Sequence, residues 1–276
     1  MSTLFLIRVF AGATCSVSAM SINFGTYSGS LLTPGGTPLT VTCPAGTSYS
    51  VGLNAGVGAG ATMTTREMTG PGSAALSYQI FQDSARTTNW GNTVGTDTVV
   101  GTGNGSAQTI YIYPQAPGGQ NAAPGIYNDT ITVTVNYAGG TATTTFSVTA
   151  TVMATCQISA ASINFGNYTG SLVKPGGSPL TVTCTNTTSY DLGLSAGPGA
   201  GATVTSRKMT GPAMLDYQMF QDSAQTLNWG NTVGTDTVHG ISNGSTQTVY
   251  IYPQMAAGQN VAPGTYSDTI IVTVTY

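Results

Sequence analysis

Charge is scarce in this chain. Among 276 residues only 5% are Asp, Glu, Lys or Arg, six basic against nine acidic, and the net charge is −3. So few basic residues, scattered along the sequence, cannot neutralise a phosphate backbone, which argues against nucleic acid as a partner. Histidine occurs once, as His239, which leaves a catalytic triad or a histidine metal site resting on a single residue. No apolar run reaches the roughly 18 residues of a membrane span, and no stretch of useful length has helical periodicity. Low charge with many β-branched residues is also the reverse of a disordered composition.

What is present is glycine, 37 residues of it, and runs of Thr, Val, Ile and Tyr between Gly and Pro clusters. These read as short strands joined by turns, an all-β chain whose polar surface comes from Ser, Thr, Asn and Gln. The length suffices for two domains, each with its own core.

An internal repeat sets the boundaries. Ala13-Thr14-Cys15 matches Ala154-Thr155-Cys156, Ser21-Ile-Asn-Phe-Gly25 matches Ser162-Ile-Asn-Phe-Gly166, and Leu39-Thr-Val-Thr-Cys43 matches Leu180-Thr-Val-Thr-Cys184. Farther on, Asn89-Trp-Gly-Asn92 matches Asn228-Trp-Gly-Asn231 and Ile110-Tyr-Ile-Tyr-Pro114 matches Val249-Tyr-Ile-Tyr-Pro253. The four cysteines, Cys15, Cys43, Cys156 and Cys184, fall two to a copy at the same spacing. A metal wants about four ligands and none join them, so disulfides are the better reading, each contributing roughly 3 to 4 kcal/mol on the loop-entropy model. That points to an oxidising compartment. Residues 1–13, with the apolar Leu4 to Phe10 and the Ala11-Gly12-Ala13 signal, are expected to be a secretion leader that is removed. In the competing reading Phe5, Ile7, Val9 and Ala11 stay as a strand, against which the apolar Leu4, Leu6 and Phe10 speak. The remaining expectation is a first domain over 14–152 and a second over 153–276.

Strands are predicted in the first copy near 15–23, 38–43, 48–54, 61–68, 76–82, 107–113 and 127–137, with the same seven in the second; that number of short strands suggests a sandwich. One further strand, 143–152, occurs only once. It puts Phe146, Val148, Ala150 and Val152 on one face and Thr145, Ser147, Thr149 and Thr151 on the other. Joined to 127–137 through Ala138-Gly139-Gly140, it is expected to lie antiparallel to that strand and complete the first copy. The second copy ends at Tyr276 with no such partner, which leaves a groove edged by Ile270, Val272, Val274 and Tyr276.

These motifs, in this order and twice over from Cys15 to Tyr276, resemble the spore coat protein U domain, the pilin module of archaic chaperone-usher pili. The resemblance implies two tandem immunoglobulin-like β-sandwiches, the second lacking its last strand, and a groove filled by a neighbour's extension, a known mode of strand addition. It implies a periplasmic pilus chaperone, an outer-membrane usher and the donor strand of the next pilin subunit as partners, and passage through the periplasm to the cell surface. With residues 1–13 removed, only Thr14 precedes Cys15, so the subunit would accept a strand and give none. It would then end a fibre as its tip, binding a host or abiotic surface and serving biofilm formation.

Candidate sites are weighed against plainer roles. Asp83 with Asp222, Asp97 with Asp236, and Asp129 with Asp268 sit beside Ser, Thr, Gly or Asn, where a carboxylate satisfies turn amides, whereas general acid–base work needs two held together in a cleft. Gly56 to Gly60 and Gly197 to Gly201 precede no helix and read as connections, not phosphate loops. No catalytic residue, cofactor or metal is therefore expected. The surface of a tip is sought at the first domain's far end, with Pro44, Ala45, Trp90, Val94, Val99, Gly139 and Gly140 as candidates; for Trp90, packing competes, since Trp229 repeats its setting. A simple cap, a secreted coat or matrix protein of the same domain, and a carbohydrate-binding sandwich are the rivals.

Overall fold

Apolar and polar residues alternate along nearly every strand of the computed structural model, which describes residues 14–276. The expected leader lies outside the described residues. Two units separate after Met153, each with its own core.

The first unit holds β1 (Ser16–Ala19), β2 (Ile22–Tyr27), β3 (Thr37–Thr42), β4 (Ser48–Leu53), β5 (Arg66–Thr69), β6 (Ala75–Phe81), β7 (Val99–Thr102), β8 (Ala107–Gln115), β9 (Gly125–Tyr137) and β10 (Gly140–Val152). One layer runs β1-β3-β8-β6-β5, and β5 meets the other at a single pair, Thr69 with Asn128. That other layer runs β7-β4-β9-β10-β2. In β9, Tyr127, Ile131, Val133 and Val135 are buried between the layers while the threonines among them face out, the period-two pattern of a sheet with one wet face. The β9–β10 hairpin turns at Ala138 and Gly139, where φ of 126° at Gly139 and 152° at Gly140 favours glycine.

The second unit holds β11 (Cys156–Ala160), β12 (Ser178–Cys184), β13 (Ser189–Leu194), β14 (Arg207–Thr210), β15 (Met214–Phe220), β16 (Val238–Ile241), β17 (Gln247–Gln254) and β18 (Val272–Thr275). Its layers are β11-β12-β17-β15-β14 and β16-β13-β18. Cys15 is bonded to Cys43 and Cys156 to Cys184, tying the first strand of each unit to its neighbour.

Several strand expectations need correction. Residues 15–23 divide into β1 and β2 because β1 pairs with β3 in one layer and β2 with β10 in the other. Residues 61–68 contribute only β5, and the short β7 was not foreseen. The second unit repeats the strands of the first except for β2 and β10. Residues 163–168, the counterpart of β2, form no strand, and the expected terminal strand shrinks to β18. Both segments flank the place that β10 fills in the first unit, and a strand without a neighbour has no ladder to hold it.

Each unit is pinned by a buried arginine. Arg66 donates to the carbonyls of Leu53, Asn54, Met63 and Trp90, and Arg207 repeats the set with Leu194, Ser195, Val204 and Trp229. Burial lowers the Arg66 pKa to about 10, which keeps it charged at neutral pH. Carbonyls outside the strands, those of Asn54, Met63 and Trp90 and their counterparts, thus find a donor.

Candidate strand-acceptor site

β10 is held on both edges. On one it pairs antiparallel with β9 from Gly140–Tyr137 to Val152–Gly125, and on the other parallel with β2, Val148 beside Ile22 and Val152 beside Tyr27. Its alternate residues Phe146, Val148, Ala150 and Val152 are buried, at 3%, 0%, 1% and 5% exposure. Burying the phenylalanine and two valines is worth about 1.5 to 3 kcal/mol each, and the strand also satisfies the backbone groups of its two neighbours.

Where β10 would stand in the second unit there is a cavity of about 920 Å3. Ile163, Phe165 and Tyr168 form one wall, residues 264–270 with Val272 the other, and Leu215, Tyr217, Met219 and Ile251 lie along the floor. The wall residues are half-buried, while their counterparts Ile22, Phe24 and Tyr27 are at 1%, 6% and 2%. Of the edge residues expected from the sequence, Ile270 and Val272 line the cavity, Val274 packs on the core beside Leu192, and Tyr276 is exposed and outside it. The wall of Ile163, Phe165 and Tyr168 was not expected. The repeat aligns these residues with β2, but nothing in the sequence says that β10 lies parallel to β2.

The cavity carries one acid. The Tyr217 hydroxyl donates to Asp268 at 2.7 Å, and burial together with that carboxylate raises the Tyr217 pKa. In the first unit Asp129, 2% exposed, accepts from Tyr78 at 2.6 Å and from the Val57 amide at 2.8 Å. Pro198 stands in the place of Val57 and has no amide to give. Gly56 and Gly197 are glycines because a β-carbon there would strike Asp129 or Asp268, so these runs are close approaches rather than loose connections. The other paired acids serve turns: Asp83 accepts from the Thr87 and Thr88 amides, Asp222 from those of Thr226 and Leu227, Asp97 from Thr93 and Asp236 from Thr232. His239 lies exposed, 3.4 Å from Asp191. Among the described residues no three His, Cys, Asp or Glu side chains converge to hold a metal, and no helix is long and apolar enough to cross a membrane.

The tip-surface candidates divide. Trp90 is a correction: it is fully buried, its indole donating to the Val51 carbonyl at 2.9 Å, as Trp229 does to Leu192. A ring inside the sandwich has its hydrogen bond met there and cannot reach a surface. Pro44, Ala45, Gly139 and Gly140 are exposed, Val99 is half-buried and Val94 is 60% exposed. Val94 joins Val100, 70% exposed, with Tyr137 and Ala138 around a shallow hollow of about 620 Å3. The turn at Asp83 is tied by Arg86 to the carbonyls of Pro34 and Pro114.

The profile of the Spore Coat Protein U domain matches residues 1–134 and 142–273. Both matches begin in phase with the first cysteine of their copy, so β10 counts with the second copy by sequence although it is folded into the first unit. "Protein U" of Myxococcus xanthus is 34% identical over 154 residues, 49% of this chain and 86% of its own. A chain of the CsuC–CsuE chaperone–tip adhesion subunit pre-assembly complex, from archaic chaperone-usher Csu pili of Acinetobacter baumannii, has a TM-score of 0.53 at 19% identity. The match covers 95% of this chain and 100% of that one, a likeness of fold.

Proposed function

This chain belongs to the spore coat protein U domain family, and from that premise we propose that it is a non-enzymatic tip subunit of a chaperone-usher surface pilus. The observation that carries the reading is a pair of equivalent grooves, one filled by β10 and the other open. A strand that belongs by sequence to the second copy completes the first, and the second copy is left to receive a strand from outside by the same exchange. In the periplasm a pilus chaperone supplies that strand; at the outer-membrane usher the next pilin subunit replaces it. The first domain, complete within the chain, carries the free end of the fibre and makes the attachment that serves biofilm formation. Val94 and Val100 are its apolar contacts with a host or abiotic surface.

A graft tests the reading. Tyr276 occupies the place of Tyr137, so residues 138–152 appended after Tyr276 should fold back into the open groove. The grafted chain is expected as a soluble monomer without a chaperone at concentrations where the unmodified chain, soluble when dilute, aggregates unless a pilus chaperone is co-expressed. Equal solubility of the two chains over the same concentration range would overturn the open groove. The Spore Coat Protein U domain keeps a second reading in view, a secreted coat or matrix protein. It predicts self-association of the purified chain through its second domain.

A further inference from the structure

On its outer face the first unit keeps an uncharged hollow where the second carries charge. Tyr49, Val51 and Leu53 of β4 point into the core, so Ser50 and Gly52 point out. One outward row crosses three strands, with Val100 of β7 beside Ser50 and Ser50 beside Asn136 of β9. The loop 92–98 rests on Gly52, where a β-carbon would come within 2.9 Å of the Asn92 backbone. Asp97 holds that loop by accepting from the Thr93 amide, and Val94 stands in its turn. Ser50, Val94, Val100, Asn136 and Tyr137 all line the hollow of about 620 Å3, a size within the roughly 300–1,000 Å3 of small-ligand sites.

In the second unit His239, Asp191 and Thr275 take the places of Val100, Ser50 and Asn136, with the same pairing. The Asp191 carboxylate accepts from the Thr237 hydroxyl of the corresponding loop at 2.8 Å and lies 3.4 Å from His239. Serine is shorter and uncharged, so the first unit has room where the second has a charged tie.

Resting on the reading of the first domain as the attaching end, we infer that this hollow binds a neutral pyranose sugar of a surface glycan. A pyranose has apolar C–H faces and a rim of hydroxyls that both donate and accept. The hollow offers a match to each. Val94, Val100 and the Tyr137 ring supply apolar contact. The Ser50 hydroxyl and the Asn136 amide, each able to donate and to accept, meet the rim. Among the described residues no Asp, Glu, Lys, Arg or His lines the hollow, so a carboxylated or sulfated sugar would lose hydration there without gaining a counter-charge. A wholly apolar surface would in turn cover Ser50 and Asn136 and leave their polar groups without partners.

An array of neutral and acidic glycans, probed with the dilute full chain, tests this. Binding is expected to glycans that end in neutral hexoses, and roughly tenfold or more weakly to the same glycans carrying a carboxylate or sulfate. Two variants place the site. S50D with V100H gives the first unit the pair that the second already holds on the same strands, with Thr98 standing where Thr237 does. V94D alters a side chain that is 60% exposed. Each is expected to weaken glycan binding roughly tenfold and to leave the urea midpoint read from tryptophan fluorescence unchanged. Equal or tighter binding of the acidic glycans would overturn the preference for a neutral sugar. Glycan binding unchanged in both variants would overturn the hollow as the site. Retention on octyl-coated beads with no glycan bound would overturn the sugar and leave the attaching end standing, and binding to neither would overturn both.

Discussion

Phe146 is the largest side chain that β10 contributes to the first core, and it is 3% exposed. Phe146→Ala is expected to destabilise the first unit by about 3–5 kcal/mol, the usual cost of emptying a buried aromatic site, and to leave the second unit unchanged. Urea unfolding followed by the fluorescence of Trp90 and Trp229, one in each core, checks this. Asp83 and Asp222 make a different kind of contribution. Bonds from the backbone amides of Thr88 and Leu227 are the leading cause of pKa values below the ordinary carboxylate range. A carboxylate with a lower pKa folded than unfolded stabilises above the unfolded value, about 4, and that stability goes as the pH falls through the folded value. Acid unfolding below about pH 4 is therefore expected to be shallower in a D83N, D222N chain. A pH series of urea midpoints gives the comparison.

At the scale of elements, one strand decides how three segments behave. β9 is paired along its whole length with β10, and β2 along most of its own. Their counterparts, 264–271 and 163–168, lack that neighbour and form no strand. Amide exchange is expected to be slow at Ile131, Val133 and Ile22 and fast at Ile270 and Ile163, since amides outside a ladder have little protection. In the grafted chain carrying residues 138–152 after Tyr276, the fast set should become slow. Hydrogen exchange resolved by peptide reads both states.

For the whole molecule, two units with unequal completeness should unfold in two steps. The second, with half-buried Ile163, Phe165 and Val272 where the first has fully buried residues, is expected to melt first. Calorimetry on the unmodified chain gives the two transitions, and a single cooperative one would count against separate units.

The sequence by itself determined the strand-rich composition, the two copies, the cysteine pairs and the single apolar alternation of 143–152, because period-two patterning and repeats are local properties of the chain. It marked Ile270 and Val272 for the same reason. Only the tertiary structure decided which neighbours that strand would have. Parallel pairing with β2 joins residues more than a hundred positions apart, and no local pattern encodes it. Nor did the Asn-Trp-Gly-Asn segment say whether its tryptophan faced water or core; the carbonyl of Val51, brought to the indole by packing, settled Trp90 inside. The groove itself is a property of two walls meeting, so its far wall of Ile163, Phe165 and Tyr168 came into view only once the chain was folded.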